Sequence, residues 1–201
     1  VSLQEVRSPI AADPGEPEAV RAARKFLSLS EELFSVQGRG EIGLVLLRYA
    51  SELYSDGALV HCQPTGFKVL GQFGSPLVWG AGVYEPGKTF FTKAECPILE
   101  VVRMAGKPYA GLVRRTTEGA IVPASKGNTG VVAALMIPMT VLGSVTLILV
   151  CRTAVAGAPD ARALVALARQ VALSFENLAL RDTLQRKAHA AGTPHRTEKA
   201  G

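Results

Sequence analysis

The residues with the widest chemical reach in this 201-residue chain are three cysteines and three histidines. The thiols are Cys62, Cys96 and Cys151, odd in number, far apart and without a CxxC pair. That pattern gives no disulfide framework and favours a reducing, cytoplasmic setting. Cys62 and Cys151 fall in strand-like runs, where a thiol is usually a small buried hydrophobe. Cys96 precedes Pro97 at a helix start, a position that lowers a thiol pKa, although no base stands near it in sequence. His61 and Cys62 are adjacent in a strand and so point to opposite faces. His189 and His195 lie in the C-terminal tail, so no metal-binding set is expected. Trp79-Gly-Ala-Gly82 has the glycines of a phosphate loop but no Lys-Ser/Thr after them. No nucleophile elbow accompanies the one central histidine, so a Ser-His-Asp hydrolase is not indicated.

Charge narrows the field further. The net charge is +5, but the bases are interspersed with acids and form no basic stripe with interleaved aromatics. No zinc-finger, helix-turn-helix or RNA-recognition signature occurs, and no nucleic-acid partner is expected. Apolar residues make up 48% of the chain, ample for a core. The chain opens at Val1 with no charged-then-apolar leader, and it reads as a piece of a longer protein or a processed chain.

Any site must be positioned by the elements around the most apolar stretch, Ala134–Cys151. Two β-branched-rich runs, 134–141 and 144–151, flank Leu142-Gly143 and predict a tight hairpin. The near absence of polar alternation predicts strands covered on both faces. Pro138 must then sit at a bulge or an unpaired position. A membrane-spanning helix is the alternative for this length, but Pro138, Gly143 and the hydroxyl residues oppose it, so no membrane partner is expected.

Upstream, residues 1–16 have linker composition. A helix is predicted from Pro17 to about residue 36, with Val20, Ala23, Leu27 and Phe34 on one stripe and Phe26, Leu29, Leu33 and Val36 on another. A second helix spans 41–55. A hairpin of Ala58–Gln63 and Phe67–Phe73 follows. Residues 74–95 read as a long glycine-rich loop, Pro97–Ala105 as a short helix ended by Gly106, Leu112–Arg115 as a strand and 116–130 as a second loop. After the central hairpin, Asp160 is placed to cap a long helix. Leu164, Leu167, Val171, Phe175 and Leu178 form one stripe of it and Leu173, Leu180 and Leu184 another. The second stripe is covered either by the first helix of the same chain or by a symmetric partner. Residues 17–188 are thus one domain, and 189–201 have the composition of a disordered tail.

The order of elements predicts an α+β fold, a central antiparallel sheet with helices packed on one face and long terminal helices. The segment Ile98-Leu-Glu-Val-Val-Arg-Met-Ala-Gly-Lys-Pro-Tyr-Ala-Gly111 resembles the helix, small-residue and Gly-Lys-Pro-Tyr passage of GAF domains. Leu135–Leu149 is similar to their penultimate hairpin, and the long helix after it completes a resemblance over roughly residues 40–187. The resemblance implies a sensory or regulatory module of a bacterial signalling protein, some members binding small molecules on the helix-free face and others serving dimerisation or protein contact. The Asn-Lys…Phe…Asp-Glu pattern of cyclic-nucleotide binders is absent, since Thr129 follows Asn128. Bilin carriers use a cysteine with a neighbouring histidine, which Cys96-Pro-Ile does not match.

One branch reduces free methionine sulfoxide through clustered cysteines, and this chain lacks the clustering. The resemblance places any pocket at the 74–95 and 116–130 loops and the short helix. Trp79, Phe90 and Phe91 are its candidate walls and Arg103, Arg114, Arg115 and Lys126 its candidate cations. The expectation is therefore a non-catalytic regulatory module without a cofactor. It pairs with itself or another signalling protein through Leu27, Phe34, Leu173, Leu180 and Leu184. The alternatives are a small-molecule sensor and, from another class, a thiol reductase.

Overall fold

The computed structural model describes residues 17–35, 38–74, 89–116, 121–124, 130–153 and 161–192. Helix α1 (Glu18–Ser35) and helix α2 (Arg39–Leu53) lead into β1 (Asp56–Gln63) and β2 (Gly66–Phe73). Next come β3 (Phe90–Thr92), α3 (Pro97–Ala105), β4 (Tyr109–Arg115) and β5 (Ile121–Pro123). The chain then forms β6 (Val131–Val141), β7 (Ser144–Thr153) and α4 (Arg162–Gly192). β3 and β5 fall inside stretches that read as loops in sequence. Three residues apiece are too few to show a periodicity. The linker at 1–16, Val36 and the Asp160 cap lie outside the described residues, whereas α4 continues past residue 188 to Gly192.

The strands form one antiparallel sheet in the order β3-β2-β1-β7-β6-β4-β5. The predicted central hairpin is there: β6 and β7 are joined by Leu142 and Gly143, with φ of 51° and 80°. Both turn residues are left-handed, which matches the twist of a two-residue hairpin loop. Pro138 lies beyond Met136, the last β6 residue paired with β4, and just before an irregularity at Met139/Thr140. It pairs with Ile148 of β7 on one side and has no β4 partner on the other, so it sits beside an irregularity and is unpaired on one side only.

Strict alternation splits the apolar residues into two cores. On β7, Leu147, Leu149 and Cys151 face α2 and α4, while Ile148 and Val150 face α3. α2 lies over β1 and β2, α4 over β6, and α1 rests on both helices. The α1 layer is tied by Lys25–Glu52 and Arg48–Glu32 ion pairs and by Ser30 Oγ, which donates to Gln170 Oε1 at 2.7 Å. The short α3 packs on the opposite face against β5, β6 and β7. Pro97 opens it and Gly106, at φ 61°, closes it in the left-handed conformation that glycine adopts without penalty.

Of the described helices, α4 is long and apolar enough to cross a membrane. Its Leu164, Leu167, Ala168 and Val171 are fully buried in the helix-side core, whereas Leu173, Leu180 and Leu184 are exposed.

Candidate functional site

The sheet separates Cys151 from the other two cysteines. Cys151 belongs to the helix-side core, Cys62 and Cys96 to the α3-side core. Burial pushes the Cys62 and Cys96 thiols up to about 12, and it raises Cys151 as well. The helix start at Cys96 does not activate its sulfur, because the side chain is fully buried beside Glu95. Desolvation disfavours the thiolate there more than the helix terminus favours it. All three are free thiols. Among the described residues no cluster of His, Cys, Asp and Glu is arranged to hold a metal ion.

The described residues expected to line a pocket fall on β3, α3 and β4. Phe91 is buried in the α3-side core, where β3 pairs with β2. Its neighbour Phe90 is exposed. Arg103 is committed to Glu100, donating from Nε at 2.8 Å and from Nη2 at 2.6 Å, with Lys93 nearby. That pairing holds the Glu100 carboxyl below its ordinary range. Arg114 and Arg115 stand on β4, paired with β5. Trp79 and Lys126 lie outside the described residues. Phe91 and Arg103 are therefore used in packing and ion pairing, and the five described candidates are spread over β3, α3 and β4.

A space does open on the other face. A cavity of about 630 Å³ lies between the first turns of α2 and the middle of α4, at the end of the sheet that carries the β1–β2 and β6–β7 turns. Its floor includes Leu59, His61 and Leu147; its walls are Leu44 and Leu47 of α2 and Phe175 and Ala179 of α4. Leu142 and Leu70 stand at its rim, both exposed. Gly43 and Gly71 let α2 approach the sheet closely: a Cβ on Gly43 would lie 3.0 Å from the Leu59 side chain, and one on Gly71 2.8 Å from Leu47. A Cβ on Gly40, by contrast, meets nothing within 4 Å.

His61 and Thr146 are the polar side chains of this lining. Thr146 Oγ1 donates to the Ser144 carbonyl at 3.1 Å. Burial, aided by the facing Lys68, holds His61 below the usual imidazole range, hence neutral at pH 7. Lys68 is its direct cross-strand neighbour and so shares its face. The sequence pointed away from this site because a lone strand histidine carries no pattern, and helices separated by the length of the chain build the walls.

The expected interface residues are exposed. Leu27 (62% accessible) and Phe34 (85%) stand on α1, and Leu173 (60%), Leu180 and Leu184 (66%) on α4. α1 does pack on α4, but through Leu29, Leu33 and Ser30, and it leaves the second leucine stripe uncovered.

No model of a known protein family matches the chain, and no curated protein matches its sequence. Solved structures match its shape. The GAF domain/HD domain protein from Geobacter sulfurreducens aligns over 74% of this chain and 98% of its own, at 15% identity and a TM-score of 0.54. The GAF domain of a putative sensor histidine kinase from Pseudomonas syringae pv. tomato aligns over 84% and 94%, at 17% identity and 0.51. Free methionine-R-sulfoxide reductase from Neisseria meningitidis aligns over 85% and 97%, at 13% identity and 0.55. With the seven-stranded sheet and its flanking helices, these likenesses identify the architecture: the chain has a GAF-like fold.

Proposed function

We propose that this chain is a non-catalytic, cytoplasmic regulatory module of a bacterial signalling protein that works by pairing its terminal helices with those of a second copy. The observation that carries this reading is the pair of uncovered apolar stripes on α1 and α4. Val20, Leu27 and Phe34 recur at heptad spacing on α1, and Leu173 and Leu180 share that spacing on α4. Fully burying one such side chain contributes about 1.5–3 kcal/mol. Several from each chain suffice against an association cost of about 4–15 kcal/mol. The two helices lie side by side, joined at Ser30–Gln170, so a symmetric partner meets both in a four-helix arrangement. The similarity in shape to a GAF domain of a putative sensor histidine kinase supports a signalling role.

The thiols weigh against the reductase alternative. Attack and resolution need two sulfurs that meet in an accessible place with thiolate character. Here all three are raised by burial, and Cys151 is divided from the others by the sheet.

Light scattering over a concentration series tests the pairing. The expected result is a dimer that becomes a folded monomer when Leu173→Glu, Leu180→Glu and Leu184→Glu are combined, with unchanged far-ultraviolet circular dichroism. A triple variant as dimeric as the parent overturns the helix assignment. A monomeric parent removes self-pairing and leaves the stripes for a different protein.

A further inference from the structure

The cavity between α2 and α4 is bordered by three departures from regular geometry. β2 carries an extra residue where Leu59 pairs with Gly71 and Val60 with Val69, which leaves Leu70 unpaired at the rim. β7 does the same where Met139 pairs with Leu147 and Thr140 with Val145, which leaves Thr146 unpaired in the lining. Bulges re-aim side chains and concentrate beside functional sites. The third departure is Leu142, whose φ of 51° puts a branched apolar residue where a hairpin turn prefers asparagine or glycine. Local rules broken together around one space mark a place kept for something other than stability.

The chemistry of the space is one-sided. Among the described residues its lining contains no carboxylate, and its volume lies within the 300–1,000 Å³ range typical of small-molecule sites. The polar end of the lining is His61, and Lys68, outside the lining, is its direct neighbour across the strand pair on the same face. Neither side chain has a hydrogen-bond or ion-pair partner among the described residues. An imidazole N–H and an ammonium, next to apolar walls, suit a ligand with an anionic head and a hydrocarbon body.

We propose that this cavity binds a medium-chain amphiphilic carboxylate, its chain lying among Leu47, Leu59, Leu147 and Phe175 and its carboxylate meeting His61 and Lys68. The site is on the face opposite α3, and it stands independently of the dimer. It is nevertheless placed to act on it, since Phe175 and Ala179 form a wall from the same turns of α4 that carry Leu173 and Leu180.

Calorimetric titration with decanoate, decanol and decyltrimethylammonium, each below its micelle concentration, tests the assignment. Decanoate is expected to bind at least about tenfold more tightly than the other two, a difference of about 1.4 kcal/mol. Lys68→Glu is expected to weaken decanoate about tenfold or more and leave decanol unchanged. Gly40→Leu is expected to abolish decanoate binding without lowering the melting temperature, because its side chain enters open space and favours the helix.

Absence of decanoate binding to the parent, or undiminished binding to Gly40→Leu, overturns the proposal. So does equal binding of decanol and decanoate with no effect of Lys68→Glu. A ligand-free dimer that Gly40→Leu turns into a monomer would put a second chain in the cavity and overturn it too. The Leu173/Leu180/Leu184 glutamate variant is expected to bind decanoate like the parent, so failure of the dimer and failure of the ligand site are read separately.

Discussion

The two faces of the sheet are built from the same strands and put to different uses. Toward α3, Phe67, Met136, Ile148 and Val150 meet Ile98, Leu99 and Val102 in a core whose side chains are almost wholly buried. Toward α2 and α4, packing is equally tight at one end, where Leu46, Ala50, Leu164 and Leu167 are all inaccessible. It then opens at the other end into the cavity. β7 supplies residues to both faces by simple alternation, so composition does not distinguish them. The open end is where two bulges and the left-handed Leu142 turn lie, and Gly43 and Gly71 let α2 approach the sheet closely there. A closed face and an open one are thus made from the same β-branched strands, and the backbone irregularities lie on the open one.

The sharpest way to test that contrast is to truncate neighbours on one strand. Ile148 is fully buried on the α3 side, and Ile148→Ala is expected to destabilise the domain by about 2–5 kcal/mol, since the void has packed walls all round. Leu147, one residue earlier, borders a space that already exists. Leu147→Ala is expected at or below the lower end of the same range, about 2 kcal/mol, because fewer contacts are lost around it. Urea unfolding of both variants measures the difference. Equal losses would mean that the helix side is packed as closely as the α3 side, and the contrast would collapse.

The same contrast explains what the sequence disclosed. Unbroken apolar runs such as Leu147–Cys151 of β7, and the Leu142-Gly143 turn before it, speak through local rules of burial and twist, so the central hairpin was legible. So were α3, bracketed by Pro97 and Gly106, and the core stripe of α4 from Leu164 to Val171. The open site was not. Its walls come from Leu47, Leu147 and Phe175, which look like core residues in any pattern. The bulges at Leu70 and Thr146 are properties of pairing between strands, invisible in either strand alone. Loop aromatics and arginines drew attention to the α3 side instead, yet Phe91 is a core residue and Arg103 is held by Glu100.

A second and smaller effect is expected at the turn. Leu142 occupies a left-handed conformation that costs a branched residue about 1–2 kcal/mol. Leu142→Asn is expected to raise stability by about 1 kcal/mol, measured by thermal unfolding, because asparagine tolerates that conformation and Asn-Gly suits the turn. Retention of leucine at this cost would then be tied to the cavity it borders. A destabilised Leu142→Asn would show that contacts of the leucine outweigh its strain, making the rim part of the core.

The smallest effect concerns His61 and has a definite sign. Its folded pKa is lowered, first by burial and then by Lys68, so the fold disfavours the charged imidazole relative to the unfolded chain. A group depressed in this way contributes stability that is present above its unfolded pKa, about 6.5, and is lost as the pH falls through the folded value. Lowering the pH from about 8 to about 5 is therefore expected to reduce stability more in the parent than in His61→Gln, which has nothing to titrate there. Chemical unfolding at the two pH values reads this difference directly. The comparison isolates His61 because other groups titrate alike in both proteins. Equal losses in parent and variant would place the imidazole in water, and the cavity floor would then be solvent-exposed surface rather than the polar end of an apolar site.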